Sequence, residues 1–140
     1  CFVHRMNKTN KIRKLISLWL PVLFWCWLIY FLSSIPNLRI EALGFWDFIF
    51  RKFAHIGEYA ILALFLFRAF RGRLYFWPGF LSFVYASTDE LHQLFVPTRG
   101  PSLVDMLIDT SGAAIMLIVI KISEKNSKKV VEKNEQLRKS

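Results

Sequence analysis

Four apolar stretches, at about 15–34, 53–70, 74–95 and 102–122, set the limits on how this chain can fold. Each comes close to the roughly 20 residues that carry a helix across about 30 Å of hydrocarbon at about 1.5 Å per residue. Inside hydrocarbon a backbone must satisfy its own hydrogen bonds, so each stretch is expected to be helical. Four such helices use up most of the 140 residues. The expected fold class is therefore all-α: a polytopic membrane protein with one four-helix transmembrane domain over 15–122. A basic segment (1–14) precedes it and a charged tail (123–140) follows. A composition 54% hydrophobic and 16% aromatic is too apolar for an ordinary small soluble domain.

The formal charge is +9, and its placement gives the orientation. Arg5, Lys8, Lys11, Arg13 and Lys14 precede the first stretch, and Arg68, Arg71 and Arg73 follow the second. Lys121, Lys125, Lys128, Lys129, Lys133, Arg138 and Lys139 follow the fourth. Only Arg39, Arg51, Lys52 and Arg99 fall on the other side. The positive-inside bias then places both termini in the cytoplasm. Basic runs beside membrane spans read as topology and as attraction to anionic headgroups, not as nucleic-acid binding. Cys1 and Cys26 form no metal or disulfide framework. Met6 is the expected natural start, with residues 1–5 an extension.

The first stretch carries Trp19, Trp25, Trp27 and Tyr30, aromatics of the kind that anchor at interfaces, with Pro21 in its first turns. It reads as an anchor with little chemistry. Residues 35–50 read as an outer connection on the membrane surface, with Asp47 capping a helix or pairing with Arg51. In the second stretch Lys52, His55, Glu58 and Tyr59 share one helix face. The third opens with Pro78-Gly79, a potential kink, and closes with Asp89, Glu90, His92 and Gln93. A turn rich in Pro and Gly follows. Ser102 and Asp105 then stand at capping-box spacing, with Asp109 and Gly112 farther along the same face. Gly112, Ala113 and Ala114 would let a neighbouring helix come close. The tail from Ser123 reads as a frayed, solvated helix.

Stretches two and four run inward and stretch three outward, so their polar residues fall at one end of the bundle. Glu58, Asp89, Asp105 and Asp109 are expected at similar depth, roughly 5–10 Å below the outer edge. Ionisable groups at such depth are costly unless paired or hydrated, and mark a functional site by default. Glu58, Asp89, Glu90, Asp105 and Asp109 face Arg51, Lys52, Arg99 and the two histidines, His55 and His92. Protonation, a cation or a basic group on a ligand would balance the excess of carboxylates.

The run KFAHIGEYAIL, followed by DELHQLFVPTRGPSLVD and a Gly-containing apolar helix, resembles the VanZ-like membrane proteins. Ser33-Ser34-Ile35-Pro36 also fits, and the similarity covers about residues 15–120. The family pattern matches Lys52, His55, Glu58, Tyr59, Asp89, Glu90, His92, Gln93, Phe95, Pro97, Arg99, Ser102, Asp105 and Gly112. Thr98 stands where a glycine is usual and Asp109 where an asparagine is common. The resemblance implies a four-helix bacterial inner-membrane protein linked to lower susceptibility to teicoplanin-type glycopeptides.

The leading expectation is an envelope protein whose outward pocket binds or modifies a lipid-linked cell-wall component, another membrane lipid or a lipoglycopeptide. Lys52, His55, Glu58, Tyr59, Asp89, Glu90, His92, Gln93, Arg99, Ser102, Asp105 and Asp109 are its candidate ligand residues. A second reading is a membrane-embedded hydrolase or transferase acting on a lipid-linked phosphate. His92 or His55 would be its general base, Asp89 or Glu58 the orienting carboxylate, and Arg99 the phosphate clamp. The sequence has no GxSxG, HExxH or P-loop to support it. His55/Glu58 and Asp89/His92 have the i, i+3 spacing of helical-bundle metal sites, the first in reversed order, but no metal or cofactor is assigned. A transporter would need a homo-oligomer, because four spans enclose little space. A polar network that only fixes helix packing is the structural alternative.

Overall fold

The computed structural model describes residues 8–36, 44–97, 100 and 102–139, and all regular structure among them is helical. Helix α1 spans Lys8–Ser33, α2 Phe45–Ala69, α3 Phe76–Gln93 and α4 Leu103–Lys139. Each helix covers one of the apolar stretches, but α2 begins at Phe45, so Phe45–Phe50 belong to a helix and not to the outer connection expected over 35–50.

Two of them, over Asn10–Ser33 and Leu103–Arg138, are long and apolar enough to cross a membrane. Only 11% and 17% of their most apolar windows are buried, so these are not the core helices of a soluble protein. Leu20, Leu23, Phe24 and Trp27 on α1, and Ile115, Ile118 and Val119 on α4, turn outward instead. Apolar surface on that scale belongs in a bilayer. Helices α2 and α3 do not reach the same standard. The first carries Arg51, Lys52, Glu58 and Arg68, and the second has only 18 residues and ends on Asp89, Glu90 and His92.

Val22 and Ile29 of α1, Tyr59, Leu62 and Leu66 of α2, and Ala86 of α3 form the buried core. The most extensive packing is between α2 and α4. Gly112 explains how close they come: a Cβ there would lie 2.3 Å from the Ile56 carbonyl oxygen and 2.9 Å from its Cα. The small-residue expectation for α4 thus finds its partner in the backbone of α2. Ala113 beside it is also buried.

Helix α2 ends in a Schellman motif, with the Gly72 amide donating to the Phe67 carbonyl and the Arg71 amide to that of Arg68. Arg71 itself holds the left-handed conformation usually left to glycine, at φ 59°. Pro78 falls in the first turn of α3, where a missing amide is tolerated, so the expected kink has no cause there.

Two expectations for α1 change. The helix starts at Lys8, which puts Pro21 in its interior instead of its first turns. Trp25 is not an interfacial anchor: its indole N–H donates to the Glu58 carbonyl at 2.8 Å and its ring packs edge-on against Phe65. The tail continues α4 as one unbroken helix of 37 residues, about 56 Å long, so its exposed end extends well past a bilayer thickness.

Candidate functional site

Helices α2 and α4 meet in parallel register. Lys52 bonds Asp105, His55 faces Asp109, and one turn on the Ile56 backbone lies against Gly112. That ladder follows from sequence spacing: residues three apart on α2 and four apart on α4 each stay on one helix face. Asp109 is completely buried, and its Oδ1 lies 3.1 Å from His55 Nδ1, an ion-pair distance. Neither Asp109 oxygen has an aligned hydrogen-bond partner among the described residues.

Helix α3 joins this ladder through the start of α4. The Ser102 hydroxyl accepts from the Asp105 amide at 3.2 Å, the N-cap half of the expected capping box. The reciprocal half is supplied by another helix. Asp105 is drawn away to Lys52, and the Ser102 amide donates instead to Glu90 Oε2 of α3 at 2.7 Å. Glu90 therefore ties the end of α3 to the start of α4 with a charge-assisted bond.

The polar end of α1 completes the assembly. Gln93 donates to Asp89 and to the Ser33 hydroxyl, each at 3.1 Å. Ser34 meets His92 Nε2 at 3.0 Å, and the imidazole tilts against Tyr30 with ring centroids 4.5 Å apart. Tyr85 donates to the Cys26 carbonyl. The expectation that α1 has little chemistry is thus replaced: Ser33 and Ser34 hold two of the candidate residues. The Ser-Ser-Ile-Pro run after the first stretch was the signal in the sequence.

Asp89 and His92, adjacent on their helix face, are engaged by different partners. Asp89 is held by Gln93 while His92 turns to α1. The carboxylate that stands against His55 is Asp109, which comes from α4 and not from the same helix as Glu58. Tyr59 is buried in the core with its hydroxyl unpartnered among the described residues. Arg99 lies outside the described residues, as does the Asp47 side chain. No three His, Cys, Asp or Glu groups among the described residues are placed to hold a metal ion.

A cleft of about 100 Å³ opens among these groups, lined by Ile29, Leu32 and Ser33 of α1, by Arg51, Ala54, His55 and Glu58 of α2, and by Asp89. Sites for drug-sized ligands run to roughly 300–1,000 Å³, so this cleft admits one small polar group and not a whole sugar or peptide. Both signs of charge border it, together with the Ser33 hydroxyl and the His55 ring, and Ile29, Leu32 and Ala54 supply the aliphatic part of the wall.

The family model described as VanZ/LLP1 matches residues 18–124, from within α1 through α2 and α3 to the start of the exposed tail of α4. Neither a curated protein nor a solved structure gives a significant match to the chain.

Proposed function

Because the chain belongs to the VanZ/LLP1 family, a resistance-associated family of membrane proteins, we propose that it is a four-span protein of the bacterial cell membrane that lowers susceptibility to teicoplanin-type glycopeptides. Both termini lie in the cytoplasm, and the polar cleft opens outward. There it binds or modifies the polar group of a membrane-proximal cell-wall or lipid component. The observation that carries this reading is the gathering of Lys52, His55, Asp105 and Asp109 with Glu58 and Asp89 at one end of the helices. Intramembrane charges brought together beside a cleft are better explained by a ligand than by packing alone.

Expression in a glycopeptide-susceptible bacterial host tests the proposal. The wild-type chain is expected to raise the inhibitory concentration of teicoplanin at least fourfold and that of vancomycin much less. Asp105→Asn, which takes the charge from the partner of Lys52, is expected to abolish the gain at unchanged membrane abundance. No change in teicoplanin susceptibility with wild type present would overturn the reading.

A further inference from the structure

At the end of the bundle away from the cleft, where α2 turns into α3, Arg68, Arg71 and Arg73 are all exposed. None of the three makes an ion pair or a side-chain hydrogen bond among the described residues. Their backbone, by contrast, is firmly held. The Schellman bonds close the end of α2, the Phe67 and Tyr75 rings meet with centroids 4.9 Å apart, and the Tyr75 hydroxyl donates to Glu124 of α4 at 2.7 Å. Arg71 stands at φ 59°, a left-handed conformation that glycine adopts without penalty and arginine does not. We propose that this turn binds the phosphodiester headgroup of one anionic phospholipid, and that Arg71 occupies a strained position because its charge is needed there. The proposal is independent of the cleft and of the resistance reading.

Topology alone asks for positive charge somewhere in this connection, which Arg68 and Arg73 already supply. It gives no reason to set a third arginine where glycine fits better. Among the described residues Glu124 is the carboxylate at this level of the bundle, and Tyr75 already donates to it. No side chain caps the start of α3, so the positive end of its dipole lies at the same turn. Guanidinium groups bind phosphate oxygens in pairs, which suits arginine better than lysine to such a site. The surface beside the arginines favours a lipid over a soluble anion. Phe76, Trp77 and Phe80 open α3 with an exposed aromatic face. Phe76 stacks on Phe80 with centroids 5.8 Å apart, and Trp77 meets Phe80 edge-on at 6.1 Å. Rings of this kind lie at the glycerol level of a bilayer while arginine heads reach the phosphates. A phospholipid engages both surfaces, and a free phosphate only the arginines.

The test places the full chain in phosphatidylcholine nanodiscs with a minor share of phosphatidylglycerol, and native mass spectrometry counts the lipids that leave with the protein. The wild-type chain is expected to retain one phosphatidylglycerol, enriched at least tenfold over its share of the bilayer. Arg71→Gly is expected to cut that enrichment at least fivefold. In phosphatidylcholine bicelles free of anionic lipid, the same variant is expected to unfold at a higher denaturant concentration than wild type, because the strain is gone. The opposite signs separate a ligand role from a folding role. Arg73→Gln leaves the left-handed position untouched and is expected to weaken retention as well. Arg138→Gln removes an equal charge about 20 Å farther along α4 than Glu124 and is expected to change nothing. Retention of the two lipids in proportion to the bilayer, or an equal loss with Arg138→Gln, overturns the proposal. So does an Arg71→Gly chain less stable than wild type, since the arginine would then serve the fold. Displacement of the retained lipid by inorganic phosphate would assign the turn to a soluble anion and overturn the lipid reading.

Discussion

Gly112→Val is expected to destabilise the protein by about 3 kcal/mol, at the upper end of what overpacking costs, because the new side chain meets backbone and not a yielding side chain. With a Cβ due at 2.3 Å from the Ile56 oxygen, α4 must move away from α2. Along α4 the His55–Asp109 and Lys52–Asp105 contacts lie about one and two turns from that crossing and would open with it. Reversible unfolding in bicelles gives the loss directly. Gly57→Ala is the control, since nothing lies within 4 Å of a Cβ at that site. It should be neutral or add up to about 1 kcal/mol of helix propensity. Equal effects of the two substitutions would show that the close crossing does not hold the site together.

The second large effect is expected at the buried pair. His55→Leu leaves Asp109, with no exposure at all, facing an apolar side chain, and should cost about 3 kcal/mol. Asp109→Asn alone should cost less than about 1 kcal/mol, because the amide fills the same space and carries no charge to strand. The double variant should therefore recover most of the loss of His55→Leu, and a double-mutant cycle in the same bicelles measures the coupling. A His55→Leu variant within about 0.5 kcal/mol of wild type would mean that the pair contributes little.

The helices and the polar end of the bundle were legible in the sequence because both rest on simple periodicities. Apolar runs of membrane length located α1 to α4, and the 3.6-residue repeat put Lys52 with His55 and Asp105 with Asp109. Periodicity assigns a face but not the neighbour it meets. Ser102 and Asp105 have capping-box spacing, yet Lys52 of α2 takes the Asp105 carboxylate and Glu90 of α3 fills the vacated role. The same limit hid the pairing of His92 with Ser34 and of His55 with Asp109. Hydropathy, too, reads less clearly for α2 and α3. The charged residues that build the site lower the apolar signal of the helices that carry them.

These interactions acquire their proposed meaning only if the charged end of the bundle faces outward. In a chain with Cys1 and Cys26 changed to Ser, Gly100→Cys lies beside Ser102 at the start of α4, and Arg73→Cys lies in the connection between α2 and α3. Labelling of intact spheroplasts with a membrane-impermeant maleimide measures the orientation directly. Modification of Gly100→Cys with protection of Arg73→Cys until the membrane is permeabilised is the predicted result. Protection of Gly100→Cys and ready labelling of Arg73→Cys would place the cleft in the cytoplasm and contradict the account.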